Sequence, residues 1–209
     1  MNTATIFANF FQYAQEYLQE HNKKLELTAA RNISFDGGKC SGWCDGQTLA
    51  VATKNPIAEE VFVHEFSHMN QAVEDSPLWQ KSYKFWGLLE RKKLALSNWQ
   101  YVMEVIALER DCELRALKHS KQWHLFDNAL YAQRANLYLY FYHYVFIKHK
   151  WLTSTGIYNP ILVEAMPKKI LPLEHFSKID MNMMKLFDDC LLPKGKFYNK
   201  QIPQSALLA

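Results

Sequence analysis

His64 and His68 stand four residues apart with Glu65 beside the first, inside the segment Val61-Phe62-Val63-His64-Glu65-Phe66-Ser67-His68-Met69. On a helix, residues at that spacing share one face, with Cβ atoms about 6 Å apart. Two imidazoles so placed can converge on one zinc at ~2.0–2.1 Å. Glu65 then lies one step round the helix, beside the metal, where a carboxylate serves as general base for a metal-activated water. The competing reading is two chance histidines and a surface glutamate. Against it, Val61, Phe62, Val63, Phe66 and Met69 make most sides of the segment apolar. Burying three polar groups there without partners costs of order 2–7 kcal/mol each, and a metal removes that cost.

A catalytic zinc site needs a third protein ligand and an open position. The candidates are Glu74, Glu104, Glu109, Asp111, Glu113 and the later histidines. Glu109 and Glu113 are again four apart, in Ala107-Leu108-Glu109-Arg110-Asp111-Cys112-Glu113-Leu114-Arg115-Ala116. One carboxylate of such a pair can ligate while the other holds a ligand imidazole through its ring N–H. We assign Glu109 as metal ligand and Glu113 as acceptor for His64, against the reading in which both pair with Arg110 or Arg115 at the surface. A donor for the developing oxyanion is also required. Tyr138, Tyr140, Tyr142 and His143 are candidates by chemistry, and His143 is taken as the second catalytic residue. An aromatic stripe at helical spacing is more often core. His21, His119, His124, His149 and His175 read as surface or capping residues.

The motif His64-Glu65-x-x-His68, followed by a helix with Glu109-x-x-Cys112-Glu113, resembles the gluzincin metallopeptidases. The run Glu109, Cys112, Glu113, Ala116 is similar to their compact ImmA/IrrE-like branch, and the chain has the look of phage-encoded metallopeptidases. The likeness covers residues 47–116. Glu113 stands where that clan usually has Asp or Asn, Cys112 stands where it has Ala, and the two motifs are further apart than in many compact members. The resemblance implies Zn2+, a minimal zincin-like core and an endopeptidase acting on a protein or peptide. It also implies a strand before the metal helix that pairs with substrate backbone, a role the segment Thr48 to Thr53 is placed to fill. The metzincin pattern fits worse. It wants Gly and His where this chain has Gln71 and Glu74, so Glu74 is only a runner-up ligand.

Elements must position these residues. Apolar spacing at Phe7, Phe10, Phe11, Ala14, Tyr17 and Leu18 predicts a helix over 3–21, ended near Asn22. Asp36-Gly37-Gly38 and Asp45-Gly46 signal turns, and Leu49, Val51 and Thr53 alternate as in a short strand. Asn55-Pro56 reads as N-cap and first helical position of the metal helix, running to about Val73 with Glu59 and Glu60 in its opening turns. Ser76-Pro77 opens a helix over 77–94, and further helices are expected over 98–118 and 125–150. Gly156, Pro160, Pro167 and Pro172 break the next stretch into short pieces, and 193–209 reads as a tail. The expected fold is mainly α with a small antiparallel β-sheet (α+β), as one domain over 1–209.

The bulk composition bounds the rest. With 209 residues, 49% hydrophobic and 22% charged, the chain fits a globular class with a full core. A net charge of +3 and scattered clusters at Lys23-Lys24, Arg91-Lys92-Lys93 and Lys168-Lys169 give little support to a nucleic-acid surface. The longest apolar stretch, 135–147, is too short for a membrane helix, which needs about 20 residues. The start at Met1 to Ile6 lacks the basic region of a secretory signal. Four cysteines suggest a reducing compartment. Cys40-x-Gly42-x-Cys44 is too extended to share a metal unless a turn at Gly42 folds it. A cytoplasmic location is expected, in the host cell if the chain is phage-encoded. The alternatives are a zinc amidohydrolase acting on a non-peptide amide and a catalytically silent zinc-binding protein.

Overall fold

The protein is described from a computed structural model over residues 3–35, 38–81, 98–148 and 158–191. Helix α1 spans Thr3–Glu20. Five short strands follow: β1 Lys24–Thr28, β2 Ile33–Phe35, β3 Gly38–Cys40, β4 Gly42–Cys44 and β5 Thr48–Ala52. The metal helix of the sequence reading is α2, Ala58–Val73. Residues 77–81 are helical, and the rest of the helix expected over 77–94 lies outside the described residues. Two long helices come next, α3 Trp99–Trp123 and α4 Asn128–Lys148. The short α5, Pro160–Glu164, a 3-10 turn at Leu173–Phe176 and α6, Met181–Leu191, complete the described chain. The Asp36-Gly37 turn and the tail over 193–209 are also outside it. The fold is mostly helical with a small sheet, as expected, but that sheet is mixed. Its order is β1-β5-β4, with β1 parallel and β4 antiparallel to β5, while β2 and β3 form a separate antiparallel pair.

Local chemistry explains most element ends. Asn22 adopts φ 54°, and Lys23 N–H returns to Leu18 C=O at 2.7 Å, so a left-handed residue closes α1. Asp45 Oδ1 accepts from Gln47 N and Thr48 N at 2.8 and 2.7 Å, and Gly46 takes φ 83°, which makes the β4–β5 turn. The start of α2 differs from expectation. Asn55 Oδ1 accepts Ile57 N–H at 3.1 Å in a turn of its own, and the helix begins two residues after Pro56. Asn159 does cap α5, accepting from Ile161 N with Pro160 at the first position.

By its contacts the chain divides into two compact units, Met1–Trp79 with Asp111–Tyr131, and Gln80–Arg110 with Ala132–Ala209. In the first, α2 packs against β4 and β5. Phe10 of α1 meets Phe66 of α2 edge-on at 5.7 Å and Trp123 of α3 at 5.9 Å, while Tyr17 meets Phe66 at 5.3 Å. Large interlocking rings hold α2 in place, each aromatic side chain of this kind burying on the order of 150–250 Å². In the second, Phe187 of α6 packs on Phe141 and Tyr144 of α4. Asn136 of α4 ties down the irregular segment that follows, donating to Pro167 and Lys169 C=O and accepting from Leu171 N–H. Arg110 Nε adds a 2.6 Å bond to Leu171 C=O.

Candidate metal centre

Helix α2 carries His64, Glu65 and His68, and the second half of α3 carries Cys112 and Glu113, all within the first unit. The two imidazole rings lie edge to face, 4.7 Å between centroids. The ligand atoms of His64, His68 and Cys112 all fall within 4.8 Å of one another, so these residues could hold a metal ion; among the described residues no other such group of three forms.

Each histidine is held by its Nδ1. His64 Nδ1 is 3.2 Å from Glu113 Oε1, and Glu113 Oε2 accepts a hydrogen bond from the Tyr131 hydroxyl. His68 Nδ1 is 2.8 Å from Gln71 Oε1. Donation from Nδ1 puts the lone pair on Nε2, the arrangement usual for metal-bound histidines. Cys112 sits against the backbone of α2, its thiol donating to His64 C=O at 3.2 Å with Sγ 3.6 Å from His64 Nδ1. Burial alone would depress the His64 pKa. The Cys112 sulfur and the Glu113 carboxylate outweigh it and hold the imidazole well above its usual range.

Glu65 is buried, at 8% exposure, on the side of α2 turned to the sheet. A Cβ on Gly42 of β4 would come within 2.6 Å of Val61 Cγ1 and 2.9 Å of Glu65 Cγ. Only glycine lets this strand run so close over the helix. Two thiols share the region. Burial pushes Cys40 up to about 11, with the Glu65 charge adding to the rise, and the same causes push Cys44 up further.

The other expected site residues fall as follows. Glu109 is buried in α3 one turn before Glu113, and its Oε1 accepts from the Tyr142 hydroxyl at 2.8 Å. It lies outside the His64, His68 and Cys112 group. Glu74, the runner-up ligand, caps the end of α2 and ion-pairs with Arg115 at 2.8 Å, half exposed; its carboxylate is spent on that cation. His143 must be corrected. It is wholly buried in the second unit, Nε2 donating to Phe176 C=O at 3.0 Å, among Trp99, Tyr140 and Phe176. Burial lowers its pKa to about 4, so it is a neutral core imidazole and no oxyanion donor. His119, expected at the surface, is half-buried against Phe10 and Phe66, with Nε2 3.1 Å from Asn70 Oδ1. His124 takes φ 56° just past α3, a capping conformation.

The segment at Thr48–Thr53 is also corrected. As β5 it is the central strand, paired on both sides, so no substrate backbone can add to it. The edges of this sheet are β1 and β4. Sequence reasoning gave Gln71, Tyr131 and Gly42 no role beside the histidine pair. Gln71 was visible as the residue one turn past His68, and Gly42 as a glycine between two cysteines. Tyr131 carried no signal, since its role depends on tertiary packing. No family model, curated protein or solved structure matches the chain.

Proposed function

We propose that the protein is a zinc-dependent hydrolase, an endopeptidase with Glu65 as general base and His64 and His68 as metal ligands, the third ligand being Glu109 on the sequence reading alone. The observation that carries the reading is the pair of histidines on one face of α2, each held through Nδ1 by an acceptor. The donor set suits zinc, which four-coordinate sites bind through imidazole and carboxylate. Zinc would supply a water of lowered pKa, ~7, and polarise the scissile carbonyl. The chain's own residues do the rest. Glu65 takes the proton from the attacking water and returns it to the leaving amine. Tyr142 steadies the Glu109 carboxylate through its hydroxyl, and Tyr131 steadies Glu113. An extended peptide would add to the edge of β4, whose backbone passes directly over Glu65. A cytoplasmic location, in the host cell if the chain is phage-encoded, is part of the same proposal.

A second ligand reading places Cys112 third, because its sulfur belongs to the compact group of ligand atoms. Against it, the sulfur approaches Nδ1 of His64, the nitrogen engaged by Glu113. Zinc content of Cys112→Ala and Glu109→Ala decides. Loss only in the glutamate variant supports the first set, and loss only in the cysteine variant replaces Glu109 with Cys112. Turnover is tested with Glu65→Gln on a pool of unstructured peptides. Bound zinc with cleavage lost supports the enzyme, and unchanged cleavage removes Glu65 from the mechanism.

A further inference from the structure

The geometry points to Gln71 as a positioning residue that sets which ring nitrogen of His68 faces the metal, with Asp111 and Arg115 fixing the direction. The inference rests on the metal reading above and deepens it. His68 Nδ1 lies 2.8 Å from Gln71 Oε1, one helical turn further along α2. A terminal amide can present either its oxygen or its nitrogen to a ring, so this contact alone leaves the tautomer open. The far end of the amide closes the choice. Gln71 Nε2 is 2.8 Å from Asp111 Oδ2 on α3, and an ionised carboxylate only accepts. The same Oδ2 accepts from Arg115 Nε at 2.7 Å, and Arg115 Nη1 reaches on to Glu74. The amide nitrogen must therefore turn to Asp111 and the amide oxygen to His68. The ring nitrogen facing that oxygen must be a donor, so Nδ1 carries the hydrogen and Nε2 the lone pair.

Burial gives the relay its force. Gln71 is 0% exposed, so bulk water offers the amide no substitute partner. The two histidines reach the same tautomer by different routes. His64 meets a carboxylate directly, whereas His68 meets a neutral amide with the carboxylate one bond removed. The relay orients the second ligand without placing another full negative charge against its ring.

The test compares the full chain with Asp111→Ala, Gln71→Leu and, as control, Glu74→Gln. Two-bond nitrogen–proton correlation spectra of the metal-free protein, at mildly alkaline pH, read the tautomer of His68. Competition against a coloured chelator reads zinc affinity. In the wild type His68 is expected as the Nδ1–H form. In Asp111→Ala the acceptor that holds the Gln71 amide nitrogen is gone, the amide can turn, and His68 moves toward Nε2–H. Zinc affinity falls about 10–100-fold there and in Gln71→Leu, while the His64 signals are unchanged and Glu74→Gln behaves as wild type. Wild-type tautomer and affinity in both Asp111→Ala and Gln71→Leu would overturn the relay. If Gln71→Leu fails to fold, Asp111→Ala, at a partly exposed position, decides alone. If the wild type binds no zinc, the metal reading falls, and the tautomer of His68 still decides the role of Gln71.

Discussion

Each side chain proposed to hold or support the metal is backed by a second group that fixes its orientation. Tyr131 holds Glu113, Glu113 holds His64, and Tyr142 holds Glu109. Tyr131→Phe deletes a hydroxyl bonded to a buried carboxylate, which costs about 1.5–3 kcal/mol for a hydrogen bond to a charged group. Denaturant unfolding of the metal-free chain should show that loss, and an unchanged midpoint would mean that Glu113 finds another partner. Gly42→Ala tests the close pass over Glu65. The added Cβ needs β4 or the Glu65 side chain to shift, so stability should drop about 1–3 kcal/mol and cleavage should fall with zinc content unchanged. Unchanged cleavage would show that the strand gives way harmlessly. At this scale the sequence was informative where chemistry and local spacing coincide. His64, Glu65 and His68 could be picked out because four residues is one helical turn. His143 misled because an aromatic helix face looks the same whether it lines a cleft or fills a core, and only burial separates the two.

Among the elements, α2 was legible to about its last residue because Ser76-Pro77 signals a new helix start just beyond it. Its start was less so, since Asn55 closes a turn of its own before the helix. Strand order was not legible at all. Nothing local tells β5 that β1 will pair with it in parallel from more than twenty residues away, and that pairing is what makes β5 central and leaves β1 and β4 at the edges. The long α4 buries His143, and this has a measurable consequence. Its folded pKa of about 4 lies below the ~6.5 of an exposed imidazole. Between those values the unfolded chain binds the proton better. The stability His143 contributes is therefore full above about pH 6.5 and is lost as pH falls toward 4, to an extent of about 3 kcal/mol. His119, also lowered to about 4 by burial and by the nearby Lys118 and Arg115, pulls the same way. Urea midpoints across this range should fall on acidification, and His143→Gln should flatten the slope. An equal slope in that variant would place the proton uptake elsewhere.

For the whole molecule, the mostly helical class with a small early sheet was foreseeable from the switch in apolar spacing after residue 22. The division into two compact units was not, because α3 and α4 run from one into the other without any break in composition. No described helix is long and apolar enough to cross a membrane. A metal that binds only the folded chain must stabilise it by linkage, about 2.7 kcal/mol at a hundredfold excess over its dissociation constant. Zinc should thus raise the melting temperature of the wild type and leave His68→Ala unmoved, and equal shifts in both would assign the effect to nonspecific binding. The most direct test of the metal centre is the zinc content of the purified protein beside Glu109→Ala and His68→Ala. The site as assigned predicts about one zinc per chain, lost in both variants. A wild type that holds no metal even after zinc is supplied would make the histidine pair a coincidence and end the hydrolase reading.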